Sequence, residues 1–223
     1  MTERIRIIAG LGNPGQRYES TRHNAGYWLV EALARRYGGQ FKSQAKFHGE
    51  VATIAVHGAD VRLLKPDTYM NKSGLAVAAL ARYLKVPPAG VLVAHDELDL
   101  EPGTVRLKLG GGPGGHNGLK DVIAHLGKDF YRLRIGIGHP GHRDDVIDYV
   151  LNRASAEDQG RIDEAVADAA GVIPVLLGEG DQKAMHALHS RGVEPRPYRK
   201  ENDGDGQARD DTPVRSGPPG DKS

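Results

Sequence analysis

The sequence predicts a single α/β domain built on a mixed, twisted β-sheet with helices on both faces. Three observations carry this. Short apolar runs of strand length alternate with stretches of helical period along most of the chain. Some strand-like runs follow one another without an intervening helix, so the sheet cannot be purely parallel. The chain has 223 residues, and the portion with globular character, residues 1–190, matches one domain of ordinary size.

The elements follow in order. Residues 4–9 are isoleucine-rich and end at a glycine, which reads as a buried strand. Residues 27–37 place Trp28, Leu29, Ala32 and Leu33 at helical spacing, with Ser20 or Thr21 as the candidate cap. Residues 46–56 and 60–64 pair as a hairpin around His57, Gly58 and Ala59. Ser73–Leu84 is an amphipathic helix stopped by Pro87 and Pro88. Residues 91–94 form a fully apolar strand that ends at His95 and Asp96. Residues 104–109 and 132–137 alternate as strands, with a short helix over 119–126 between them. Residues 155–177 open with Ser155 and Asp158 in capping-box register, and Ile162, Val166, Ala169, Ile173 and Leu176 make one stripe. Pro174 is expected to kink that helix. Residues 201–223 are glycine, proline and charge with almost no apolar side chains, so 191–223 is expected to be a disordered tail.

Composition excludes several functions. The formal net charge is +1, so any affinity for nucleic acid must come from a local basic surface. The chain has no cysteine, which removes disulfides, zinc–thiolate sites and cysteine nucleophiles. Glu3, Arg4 and Arg6 break any signal-peptide pattern, and no apolar run approaches the roughly 20 residues that span a bilayer. The expectation is a cytoplasmic protein with no membrane partner.

The densest signal is residues 110–118, where five of the first six positions are glycine and the segment ends by presenting His116 and Asn117. Such a loop allows close backbone approach to a ligand. Asn13 lies in a second glycine loop, Gly10–Gly15, and Asn71 follows a Lys-Pro-Asp turn. One asparagine at a turn is ordinary, but three on glycine- or proline-marked loops suggest a site that grips carbonyls and amides. The loop at 10–15 satisfies G-x-G-x-x-G, yet Pro14 removes a donor that pyrophosphate would need. The acidic residue about 20 positions on would be Glu31, in helical register instead of at a strand end. No cofactor is therefore expected. His23 lies at the start of the first helix, where the helix terminus favours a neutral ring fit for a general base. Asp96, at the carboxyl end of a buried strand, is the candidate that orients it. Glu97 and Asp99 suit strand geometry less well. Because the helix end lowers the basicity of His23 and Asp96 raises it, no direction of shift follows. Arg106, Lys108, Arg134 and Arg143 lie on or after two neighbouring strands and suggest a phosphate clamp. His139 with His142, or His186 with His189, lacks a third ligand at useful spacing, so no metal is expected. No Gly-x-Ser-x-Gly elbow is present.

Taken together, these blocks resemble the bacterial peptidyl-tRNA hydrolase family. The resemblance rests on Gly10–Gly15 with Tyr18, on Thr21-Arg22-His23-Asn24-Ala25-Gly26, and on Lys65 through Gly74. It continues through His95 to Leu100, residues 110–121 and Arg132 to Gly141, in family order. It implies hydrolysis of the ester between a peptide and the tRNA 3′ ribose, recycling both after aborted translation. The partner is then peptidyl-tRNA, contacted at its acceptor stem and its peptidyl moiety by a monomer. The resemblance makes His23 the base and Asp96 its orienting group. Asn13, Asn71 and Asn117 would bind the peptidyl part and the attacking water or oxyanion, with Tyr18, Tyr69, Met70 and His116 completing the substrate site. Lys108 and Arg134, with Arg106 and Arg143, would hold tRNA phosphate. Tyr69 stands where many relatives have phenylalanine, and Arg143 where a lysine is common. Two other readings use the same residues: an RNA-binding protein without hydrolytic activity, which needs the basic residues but not His23 with Asp96, and a nucleotide-dependent enzyme using Gly10–Gly15.

Overall fold

The computed structural model describes residues 4–189. Its strands in chain order are β1 (Ile7–Gly10), β2 (Lys42–Gln44), β3 (Gly49–Val56), β4 (Ala59–Pro66), β5 (Val91–Glu97), β6 (Val105–Leu109) and β7 (Tyr131–Gly136). The helices are α1 (Ala25–Tyr37), α2 (Ser73–Leu84), α3 (Asn117–Leu126), α4 (Val146–Val150), α5 (Ala156–Glu179) and α6 (Asp181–His189). β1 has no polar side chain and is buried along its whole length, as a strand covered on both faces must be. It sits mid-sheet in the order β2-β3-β4-β1-β5-β7-β6. Its pairings with β4 and β5 are parallel, as is β5 with β7, while β2, β3 and β6 add antiparallel edges.

Alternation along β1 sends neighbouring residues into different cores. Ile8 packs with Leu29 and Leu33 of α1, Ile162 and Ile173 of α5 and Leu188 of α6. Ile7 and Ala9 pack with Val77 and Leu80 of α2 and Leu119 and Val122 of α3. Helices therefore cover both faces, as the sequence predicts.

The differences from the sequence reading are local. β5 runs on through His95 and Asp96 to Glu97, so Asp96 lies inside the strand, where polar residues are held by the ladder with Ile135 and its neighbours. Residues 45–47 form a 3₁₀ turn, not the start of a strand, and β2 is an additional short edge strand. The hairpin turn has His57 and Gly58 at φ of 50° and 72°, the doubly left-handed geometry that matches strand twist. Neither Ser20 nor Thr21 caps α1 through its side chain. A 3₁₀ turn, Arg22–Asn24, precedes the helix instead. Ser155 does cap α5, accepting from the Asp158 N–H, and the helix continues through Pro174 to Glu179. The short α4 and α6 carry too few residues to show a period in sequence. The hydrophilic stretch from 191 onward lies outside the described residues.

α1 comes unusually close to the sheet, because a glycine stands on each side of the contact. A Cβ on Gly26 would collide with the backbone of Leu11 and the carbonyl of Ala94. By contrast, Gly160 on the exposed face of α5 has open space around it. Gly26→Ala should therefore lose about 1–3 kcal/mol or more in urea unfolding, whereas Gly160→Ala should gain about 0.5–1 kcal/mol through helix propensity.

Candidate active site

The parallel strands β1, β4 and β5 all end on one side of the sheet, and their following loops meet there. β1 delivers Asn13, β4 leads to Tyr69, Met70 and Asn71, and β5 carries Asp96. The 3₁₀ turn before α1 adds His23. These residues line a cleft of about 580 Å³ with Gly114, Gly115, His116 and Asn117.

The glycine loop reaches this cleft by a long route. Because β6 is antiparallel to β7, it ends level with Tyr131, at the far end of the strands from Asp96. The chain must then return along the ladder from the level of Tyr131 to that of Ile135, roughly 13 Å at strand rise, before His116 can meet Asp96. Arg132 guides it: the buried guanidinium donates to the carbonyls of both Gly111 and Gly112. Gly110, Gly111, Gly114 and Gly115 all have positive φ, which explains the glycine run.

His23 and Asp96 make the bond expected of a base and its orienting group. Nδ1 of His23 lies 3.0 and 2.9 Å from the two carboxylate oxygens. Since a carboxylate only accepts, Nδ1 carries the proton and Nε2 keeps its lone pair for the cleft. Burial lowers the basicity of His23, but the adjacent Asp96 charge and its hydrogen bond outweigh it, and the pKa is raised from 6.5. Burial alone would raise Asp96. The two neighbouring rings, His23 and His116, hold it well below the usual carboxylate range instead.

His116 Nε2 lies 2.9 Å from Asp96 Oδ1, and its Nδ1 accepts from the N–H groups of Gly118 and Leu119 at the start of α3. The sequence reading gave His116 to the substrate, but both of its ring nitrogens already have protein partners. His95 is fully buried behind it, donates to the Asp96 carbonyl at 2.7 Å, and is pushed down to about 3, chiefly by burial.

Asn13 is held in one orientation. Its N–H donates to Asn24 Oδ1, and the Asn24 amide donates back to the Asn13 carbonyl. Its own Oδ1 accepts from the Met70 N–H at 2.8 Å, so Nδ2 is the amide atom left to act as a donor. Asn71 and Asn117 are exposed at the cleft. Tyr69, 61% exposed, stands at the mouth, edge-on to Tyr18 at 6.5 Å. Val146, Ile147, Val150 and Leu151 on and after α4 form an apolar wall with Arg143 at its end. Arg22 fastens that wall: Nη1 donates to the carbonyls of Tyr149 and Arg153, and the guanidinium stacks 3.9 Å from the Tyr149 ring.

The basic residues divide into two places. Strand alternation puts Arg106, Lys108, Arg132 and Arg134 on one face of β6 and β7, with Arg106 opposite Arg134 and Lys108 opposite Arg132. Arg143 is not part of this array and lines the cleft instead. Arg134 pairs with Glu97 at 2.8 Å, while Lys108 is exposed.

Sequence reasoning missed Arg132 and Asn24, although both stand in the blocks that carry the resemblance. It also missed the α4 wall, for which five residues give no periodic signal. The Gly10–Gly15 loop is not a phosphate cradle, since Leu11 N–H is bonded to Ala94 and Asn13 N–H to Asn24. Among the described residues, one group of three histidine and carboxylate side chains brings its donor atoms within 4.8 Å of one another: His23, Asp96 and His116. Those atoms are hydrogen-bonded to each other, so a cation there would have to break the dyad. No described helix is long and apolar enough to cross a membrane.

Comparison with known proteins shows the family. The peptidyl-tRNA hydrolase family profile matches residues 7–196. A peptidyl-tRNA hydrolase of Halorhodospira halophila is 55% identical over 187 residues, covering 83% of this chain and 96% of its own. One from Neisseria gonorrhoeae is 53% identical over 192 residues, 86% of this chain and the whole of the relative. A crystal structure of the enzyme from Acinetobacter baumannii superposes with a TM-score of 0.82 at 47% identity, covering 84% of this chain and 96% of that one. The chain belongs to the peptidyl-tRNA hydrolase family.

Proposed function

We propose that the cleft hydrolyses the ester joining a peptide to the 3′ ribose of tRNA, the function of this family, through His23, Asp96 and the three asparagines. The observation that carries the reading is the His23–Asp96 pair, which leaves Nε2 unprotonated and facing a cleft rimmed by carboxamides. His23 Nε2 takes a proton from water, and the oxygen attacks the ester carbonyl. Asn71 or Asn117, with amides of the glycine loop, stabilises the oxyanion. The ribose oxygen then leaves with a proton returned by His23, releasing tRNA and peptide. Asn13 Nδ2 donates to a carbonyl of the peptide. This favours an N-blocked substrate, because a free α-ammonium would leave polar groups of the site unpaired.

The array on β6 and β7 supports a phosphate contact by Lys108, with Arg106 and Arg134 beside it and Arg143 nearer the reacting end. The same reading has the protein act as a monomer in the cytoplasm on peptidyl-tRNA stranded by interrupted translation.

His23→Ala is expected to lower kcat about 100-fold or more while tRNA binding stays near wild type. Turnover within about tenfold, roughly 1.4 kcal/mol, would remove His23 as the base and favour a non-catalytic RNA-binding protein. Since the base must be neutral and its pKa is raised, kcat/KM is expected to fall as pH drops through a value above 6.5. An acid limb below that value would contradict the raised basicity. Lys108→Ala should raise KM and flatten its salt dependence by about one phosphate contact; an unchanged salt slope would take Lys108 out of the clamp. Asn13→Ala should narrow the preference for N-blocked over free aminoacyl-tRNA, checked by the ratio of the two rates.

A further inference from the structure

His116 is the group the mechanism above does not use, and its surroundings define it closely. Nδ1 accepts from two backbone amides, at 3.1 and 3.2 Å, so it cannot carry a proton without facing two N–H groups. The ring proton must therefore sit on Nε2, 2.9 Å from Asp96 Oδ1. The ring is also wedged between two others, with centroids 5.0 Å from His23 and 5.1 Å from His95. Neither ring nitrogen is left for a ligand.

We propose that His116 is a positioning residue, an Nε2–H donor that holds the Asp96 carboxylate against His23 and ties the register of the glycine loop and α3 to the catalytic pair. The proposal rests on the reading of His23 as the base. Two donors share one carboxylate, so each weakens the acceptor for the other. With His116 in place, Asp96 orients His23 without gripping its proton as hard as a singly bonded carboxylate would. The coupling also runs to the cleft. His116 caps α3, whose first residue is Asn117, and Arg132 fixes the loop upstream through Gly111 and Gly112. Moving the loop therefore breaks the Asp96 bond and displaces Asn117 together.

The other charged or titratable groups near the pair do not supply this contact. His95 on β5 is buried and neutral, and its proton goes to the Asp96 backbone. Glu97 is taken up by Arg134 of β7. The α4 side presents apolar residues apart from Arg143. From the turn before α1, only His23 reaches the carboxylate among the described residues.

The test uses His116→Asn. Asparagine is a good helix N-cap and can still accept from the α3 amides, but its side chain is too short to reach Asp96. With one donor lost, more of the carboxylate's charge faces His23, which becomes more basic. The expected result is a lower kcat, KM within about twofold of wild type, and an acid limb of kcat/KM moved upward by about half to one pH unit. A rise in KM alone, or a fall in kcat with the acid limb in place, would overturn the proposal and return His116 to substrate binding or simple capping. His23→Ala run alongside keeps the two readings apart: an active His23→Ala removes the base, whereas an inactive one with an unmoved His116→Asn limb removes only the positioning role. On the unsubstituted protein at alkaline pH, imidazole nitrogen NMR should show neutral His116 as the Nε2–H tautomer. An Nδ1–H tautomer would also overturn it.

Discussion

Asp96 is a charge removed from water, 2% exposed at the end of a central strand. An isolated carboxylate in that position would cost several kcal/mol unless hydrogen bonds replaced its hydration. His23 and His116 supply those bonds from two directions, and much of the surrounding structure serves to bring them there. The 3₁₀ turn before α1 presents His23, and the glycine contact between α1 and the sheet sets how close that turn can come. The glycine loop carries the chain back up the ladder to present His116. Removing either ring would leave a buried charge short of a partner, which is why the site is expected to be rigid before any substrate arrives.

The same arrangement sets the chemical character of the cleft. Two polar side chains of the cleft have one role fixed by the hydrogen bond on their other end. His23 accepts because its Nδ1 donates inward. Asn13 donates because its Oδ1 is taken by Met70. These assignments come from accounting for donors and acceptors. Opposite them, the α4 wall is apolar, with Ile147 69% exposed, a surface suited to the non-polar parts of a peptide.

Much of the fold was legible in the sequence, because its elements rest on strong local signals. α2 has the predicted bounds, and β1, β5 and β7 differ by a few residues at their ends. The misses have physical causes. The α1 cap is a 3₁₀ turn held by Thr21 and Asn152 backbone atoms, which no capping pattern announces. The expected placement of Asp96 just past a strand came from reading polarity as a strand end, whereas β5 continues because the ladder with β7 holds it. The candidate residues lay in recognisable blocks, and the structure brings His23, Asp96 and the three asparagines to one cleft. The partnership of His116 with Asp96 could not be read, since it depends on an antiparallel strand that forces the loop to double back. Arg143 likewise separates from the other basic residues only once β7 and α4 are placed.

Hydrolysis of an N-acetylated aminoacyl-tRNA beside the unblocked form, with a chelator present, tests the central claim most directly. If a neutral His23 and carboxamides that read the peptide do the work, release occurs from the blocked substrate only, at a rate the chelator leaves unchanged. Equal rates for the two substrates would contradict the amide-reading site, and activity abolished by chelator would contradict a base that acts without a cation.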